Sequence, residues 1–245
     1  MFQLRENIIE NFALLLNKIY LAIEVSNYKT PEDYREKLSV KFGLDKIYDH
    51  YVIESCQHLL EDTELAITNY ERFGLDGPTK YDNTDEKYLR LYGLLNAVYL
   101  QMSVPKQLAE IFKLNIKKDL IIRLKSLKIF ETRNKLAAHT IDYNKTAYYR
   151  VAQITVEGKG ERILIVGKDS SEYISLPENI KEYRATFYNE LSNIIEIIIN
   201  KLFCKKSKKF LELIDCLEAI KHKMNGGMVI QSPNGSFRLI NIEIV

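Results

Sequence analysis

The sequence predicts a mainly α protein, an antiparallel helical bundle carrying two small β-hairpins. Three observations predict it. Chain breakers are scarce, with 10 glycines and 5 prolines in 245 residues, which favours long helices over many short strands. Apolar residues recur at three and four through most of the chain, the helical period. That period gives way to strand-like patterning in two places only, each centred on a Gly-containing turn.

The first helix is predicted within residues 2–27, where Ile8, Phe12, Leu15, Leu16, Ile19 and Ile23 fall on one face. Thr30-Pro31-Glu32-Asp33 is a helix start, with Thr30 as N-cap and Pro31 in the first helical position. Gly43 ends that short helix, and a long one follows over about 45–72, closed by Gly74. The stretch GLDGPTKYDNTD is a loop, and a capped helix starts near Asn83 or Thr84. Residues 88–102 are apolar on nearly every side, which predicts a central, buried helix. Asn96 and Gln101 are then buried polar groups in need of partners, and Tyr92 and Tyr99 are read as core. Pro105 is expected to open a separate helix to about Leu114. Asn115 caps the next helix, which runs through Leu120, Leu124, Leu127 and Phe130 into RNKLAAH.

Tyr149–Val156 and Arg162–Val166, around Gly158-Lys159-Gly160, predict the first hairpin. Pro177 starts a second helical region to Met224, with a break near 205–209, and Asn225-Gly226-Gly227 stops it. Met228–Gln231 and Phe237–Val245, around Pro233-Asn234-Gly235, predict the second hairpin. No boundary between independent domains is evident. The expected organisation is one domain over 1–245: a helical core over 1–145, a hairpin insertion over 146–176, a helical region over 177–224 and a hairpin tail over 225–245.

Net charge is only +2, so a nucleic-acid partner would need a local basic surface. Lys201, Lys205, Lys206, Lys208 and Lys209 form the one dense basic cluster. It fits either an RNA backbone contact or a solvated face. The three cysteines show no CxxC spacing, which points away from a disulfide framework and towards a reducing compartment. The N-terminus does not read as a signal peptide, and the most apolar run, 194–203, is too short to span a bilayer. The expectation is a cytoplasmic protein with no membrane partner. His50 and His58 are eight apart on a helix, a poor spacing for metal ligands, so no metal is expected. No P-loop, GxGxxG or GxSxG motif occurs.

On an ideal helix over 117–139, Lys117, Lys125, Lys128, Thr132 and Lys135 gather on one side, the expected solvent face. Arg133 and Asn134 lie opposite, near Phe130 and Ala137, facing a packed surface or a groove. An arginine there needs a carboxylate, another subunit or a phosphate as partner. His139 would sit about 120° around from Arg133, so the helix must end or bend near Ala138 for the two to cooperate. A histidine near a helix C-terminus is suited to proton transfer, and an arginine fork to phosphate. The pair suits phosphodiester cleavage. Structural alternatives stand beside it: a helix-capping His139, an ion-paired Arg133 (with Glu131 or a distant carboxylate), and an Asn134 that satisfies a backbone group.

The stretch ETRNKLAAHTIDY resembles the signature of the HEPN family, an arginine, a polar residue and a histidine late in a bundle helix. Arg133, Asn134 and His139 match it. The preceding helix, YLRLYGLLNAVYLQ, is similar to the HEPN helix that packs beside the motif, and the resemblance covers about 80–143. It implies a HEPN-like bundle and a metal-independent endoribonuclease without cofactor, working as a homodimer on RNA. His139 would be general acid or base, Arg133 would hold the scissile phosphate, and Asn134 would orient one of them. The basic lysines Lys205, Lys206, Lys208 and Lys209 would be a substrate-binding surface. Such proteins often act as toxins or in phage defence, which implies an antitoxin or regulatory protein as a further partner. Some toxin members carry a tyrosine two residues after the histidine; here Tyr143 lies four after it, and that role is not carried over. The alternative function is a non-catalytic HEPN-like module that binds RNA, a nucleotide or a partner protein. A transcriptional regulator ranks below both, because no helix-turn-helix signal is evident.

Overall fold

The structure is a computed structural model, and it describes residues 2–78, 83–138, 148–156, 161–232 and 236–240. His139, Tyr143 and the turns at Gly158–Gly160 and Pro233–Gly235 lie outside the described residues. The fold is mainly helical with two small antiparallel sheets. Among the described residues, no helix is long and apolar enough to cross a membrane. The chain divides into two compact units, each assembled from segments distant in sequence.

The first unit comprises Met1–Glu61, Val104–Lys117 and Tyr188–Val245. Helix α1 (Ile8–Ala22) begins at Asn7, whose side chain accepts from the backbone N–H of Ile9 and Glu10. Helix α2 (Pro31–Phe42) starts on Thr30, whose hydroxyl accepts from Asp33 N, and ends at Gly43 with φ 67°. That is the left-handed cap which glycine adopts without a Cβ clash. Helix α3 (His50–Phe73) starts later than the sequence suggests. Helices α8 (Leu176–Leu202) and α9 (Lys208–Met224) are separated where the sequence predicts a break. Ser207 caps α9 by accepting from Phe210 N. Strands β4 (Met228–Gln231) and β5 (Phe237–Ile240) pair as the expected hairpin. His222 Nε2 contacts Ile240 O at 2.9 Å and ties the hairpin to α9. Phe12, Leu16, Ile19, Phe42, Phe112, Leu217 and Ile220 are fully buried in this unit. Buried Asn11 is satisfied: its Nδ2 donates to Arg5 O and Asn7 O, and its Oδ1 accepts from Arg5 N.

The second unit comprises Asp62–Ser103 and Lys118–Phe187. Three expectations are corrected, the first where α4 leaves this unit. Helix α4 runs unbroken over Thr84–Ile111 with Pro105 inside it, rather than restarting at the proline. Proline forfeits one helical hydrogen bond, but Val104 and Leu108 are completely buried on either side of it, and packing overrides the local preference. Second, α4 is not buried all round. Leu91, Leu94, Leu95 and Val98 form its core face, whereas Leu89, Tyr92, Asn96, Tyr99 and Leu100 are exposed. Gln101, in contrast, is buried as predicted. Its Nε2 donates to Thr63 Oγ1 and Glu64 Oε2, and its Oε1 accepts from Tyr183 OH at 2.6 Å.

The third correction concerns the first hairpin. Strand β1 is only Tyr149–Val151 and is followed by one helical turn, α7 (Gln153–Val156). Thr155 makes that turn, its hydroxyl donating to Ala152 O and accepting from Leu164 N. Strands β2 (Arg162–Gly167) and β3 (Ser171–Ser175) complete a three-stranded sheet of order β1-β2-β3, separate from the β4-β5 pair. Ile163, Ile165 and Ile174 bury one face of it.

Candidate functional site

The predicted single motif helix is two helices and a wider turn. Helix α5 covers Lys117–Lys125 and α6 covers Lys128–Arg133. Between them Leu127 is extended at ψ 136°, and the Ser126 hydroxyl donates to Arg123 O. After Arg133 the chain continues as a π turn, Asn134–Ala138. Such turns are rare and concentrate at functional sites.

Arg133 and Asn134 meet. Arg133 Nη1 donates to Asn134 Oδ1 at 3.1 Å. The guanidinium sits over a ring that the sequence assigns to the core: its Cζ is 3.9 Å from the centre of Tyr99. Tyr99 in turn contacts Phe130, ring centres 6.2 Å apart. Tyr99 is 38% exposed, so one aromatic surface holds the arginine at the boundary with solvent. Arg133 Nε is buried and unpartnered among the described residues, and no carboxylate there pairs with the guanidinium. The alternative of an ion pair with Glu131 does not form. Glu131 is taken by Lys128 at 3.0 Å and Lys135 at 2.5 Å.

The expected solvent face of the motif helix is also corrected. Thr132 is fully buried, its hydroxyl donating to Lys128 O, and the side chain of Lys135 is only 9% exposed. The break at Ser126–Leu127 alters the helical phase, and the β1-β2-β3 sheet covers this side. Glu172 of β3 bridges Lys128 at 2.7 Å and Lys135 at 2.6 Å. Lys135 Nζ also lies 4.8 Å from the ring centre of Tyr149 on β1. Gly167 stands opposite Tyr149 in the sheet, and a Cβ there would strike the Tyr149 ring.

Two lysines and two carboxylates thus form a neutral, closed knot. Burial opposes ionisation of Glu131 and Glu172, but hydrogen bonds from Lys135 and Lys128 outweigh it and hold both carboxyls below their ordinary range. Burial likewise opposes charging of Lys128 and Lys135, and the same carboxylates outweigh it and raise both. The knot fastens α6 and the π turn to the sheet, and so fixes the backbone from which Arg133 projects.

The predicted substrate lysines belong to the other unit, at the break before α9 and in its first turn. Lys205 and Lys206 are exposed, and Lys208 is almost free, 4.0 Å from Glu212 with 92% of its side chain exposed. Lys209 is committed to structure: its Nζ donates to Ala22 O and pairs with Glu24 at 2.8 Å. Lys201 donates to Phe112 O. His50 is buried against Ile47 O and Ser39, whereas His58 is exposed. No group of three or more metal-ligating side chains occurs among the described residues. The cysteines are unpaired, with Cys56 and Cys216 buried and Cys204 exposed.

The sequence reading missed Tyr99 and Glu172 as partners of the motif. Tyr92 and Tyr99 fall seven apart, on one helical face, and that was the available signal for an exposed aromatic surface. Compared with known proteins, the chain matches no family model, no curated protein and no solved structure.

Proposed function

We propose that the protein is a metal-independent endoribonuclease of HEPN type, a toxin or phage-defence effector that works as a homodimer. The observation that carries this reading is Arg133. Its guanidinium is oriented by Asn134 and the Tyr99 face, it has no carboxylate partner among the described residues, and it sits at a solvent boundary. A guanidinium held this way is prepared for an oxyanion, and phosphate matches its fork.

In this reading Arg133 holds the scissile phosphate and neutralises charge growing on its non-bridging oxygens. His139 moves protons between the ribose 2′-hydroxyl and the leaving 5′-oxygen. The 2′-oxygen bonds to phosphorus as the bond to the 5′-oxygen breaks, which leaves a cyclic phosphate and a 5′-hydroxyl. Exposed Lys205, Lys206 and Lys208, in the first unit, would attract RNA as a basic surface of their own.

End-labelled tRNA and a structured RNA, incubated with the protein in EDTA, test the proposal. Cleavage to cyclic-phosphate ends is expected, and its loss in Arg133→Ala and in His139→Ala with helical content intact. Cleavage that persists in both variants would refute the assignment. A second reading, a non-catalytic module that binds RNA, a nucleotide or a protein, is favoured by the exposed Leu89, Tyr92 and Leu100 on the α4 face that carries Tyr99. RNA binding without cleavage by the parent protein would select it.

A further inference from the structure

An aromatic pocket lies wholly in the first unit, where α1, α2 and α3 meet. Its volume is about 480 Å³, within the range of small-ligand sites. Tyr20, Tyr28, Tyr34 and Tyr51 line it, with His50 and Glu54. Two of these rings are displayed to solvent, Tyr28 at 54% and Tyr51 at 40% exposure. Both are nevertheless held in place. Tyr28 stands edge-on to Tyr34 with ring centres 5.0 Å apart, and Tyr51 lies 4.2 Å from the buried His50 ring.

The polar atoms are ordered as well. Arg35 Nε donates to Tyr51 OH at 3.0 Å, and Arg35 Nη1 pairs with Glu32. Tyr20 hydrogen-bonds to Glu54, and burial together with that carboxylate keeps the phenol protonated far above its usual range. An ionised carboxylate offers about four acceptor positions, so Glu54 keeps capacity after serving Tyr20. Lys29 lines the pocket and makes no ion pair among the described residues.

We infer that this pocket binds a nucleobase that presents N–H donors on its edge, with guanine the best match. Fixed, exposed ring faces stack a planar heterocycle. Glu54 accepts from adjacent N–H groups on the base edge, the two-pronged geometry that suits a carboxylate. Lys29 and Arg35 also line the pocket and would supply positive charge for the nucleotide's phosphate. A quaternary ammonium, the other ligand of aromatic cages, would meet those two cations. The site stands apart from the reading of Arg133 and needs no cleavage chemistry.

Saturation-transfer NMR and isothermal titration with guanosine 5′-monophosphate, uridine 5′-monophosphate, choline and a short guanine-containing RNA test the inference. Saturation of the guanine H8 is expected, with tighter binding of the guanine than of the uracil nucleotide. Tyr51→Ala should weaken it by about tenfold through lost stacking. Glu54→Gln should abolish the preference for guanine while leaving the fold unchanged by circular dichroism. Tighter binding of the RNA than of the free nucleotide would assign the base to an RNA strand, and equal binding would assign it to a free nucleotide; both support the pocket. Binding of choline alone, no binding of either nucleotide, or guanine binding unchanged in both variants would overturn it.

Discussion

Glu172→Gln is the most informative single substitution in the second unit. Glu172 joins β3 to the motif helix through two charge-assisted hydrogen bonds, to Lys128 and to Lys135. The amide can still accept, but the knot then carries one uncompensated positive charge beside a lysine whose side chain is 9% exposed. Hydrogen bonds to charged groups contribute about 1.5–3 kcal/mol when buried. Glu172 is 35% exposed, so solvent screening reduces that to about 1–2 kcal/mol. For a chain of this length the melting temperature should fall by about 2–8 °C, read by circular dichroism at neutral pH. The pH dependence has a definite sign. Both carboxyls lie below their ordinary range in the folded protein. Their stabilisation is therefore complete above the unfolded value of about 4.3 and is lost as pH falls through the depressed folded values. Parent and variant should differ at pH 7 and converge in acid. Equal melting temperatures at pH 7, or a gap that survives full protonation, would refute the knot as the fastening of the motif helix.

Two further outcomes follow from the same geometry. Tyr99→Phe should retain RNA cleavage, because Arg133 rests on the ring face, whereas Tyr99→Ala should lower kcat/KM by about 3- to 30-fold, the range of a cation–π contact; an equal loss in both variants would point to the hydroxyl instead. Cys204 should react with a thiol reagent in the native protein while Cys56 and Cys216 do not, since burial pushes their thiols up to about 12 and about 11. One thiol titrated before denaturation and three afterwards is the expected count.

Local chemistry was readable from the sequence, and long-range chemistry was not. Thr30-Pro31 and Gly43 bound α2 because caps and φ preferences act within a few residues. The burial of Gln101 was legible from its apolar neighbours, yet the same argument failed for Asn96, which faces solvent. Apolar side chains on every side of α4 concealed which of them would be covered. Lys135 reads as a surface residue because its reason for burial, Glu172, lies 37 residues away on a strand too short to show period-two patterning. Pro105 misled for a related reason: its local penalty is fixed, whereas the packing that overcomes it is tertiary. At the candidate site the resemblance implied an Asn134 that orients Arg133 or His139, and Asn134 accepts from Arg133; the stacking on Tyr99 was not read.

The π turn at Asn134–Ala138 has a consequence for how this helix tolerates change. Each π turn closes one residue later than an α turn, so this stretch holds one residue more than a regular helix would need. In an ordinary helix, removing a residue rotates everything beyond it by about 100°. Here a single deletion would instead return the backbone to regular α geometry and leave the Lys128–Glu131 side of α6 in place. The surplus residue is dispensable for making a helix; what it sets is where the side chains beyond Arg133 point.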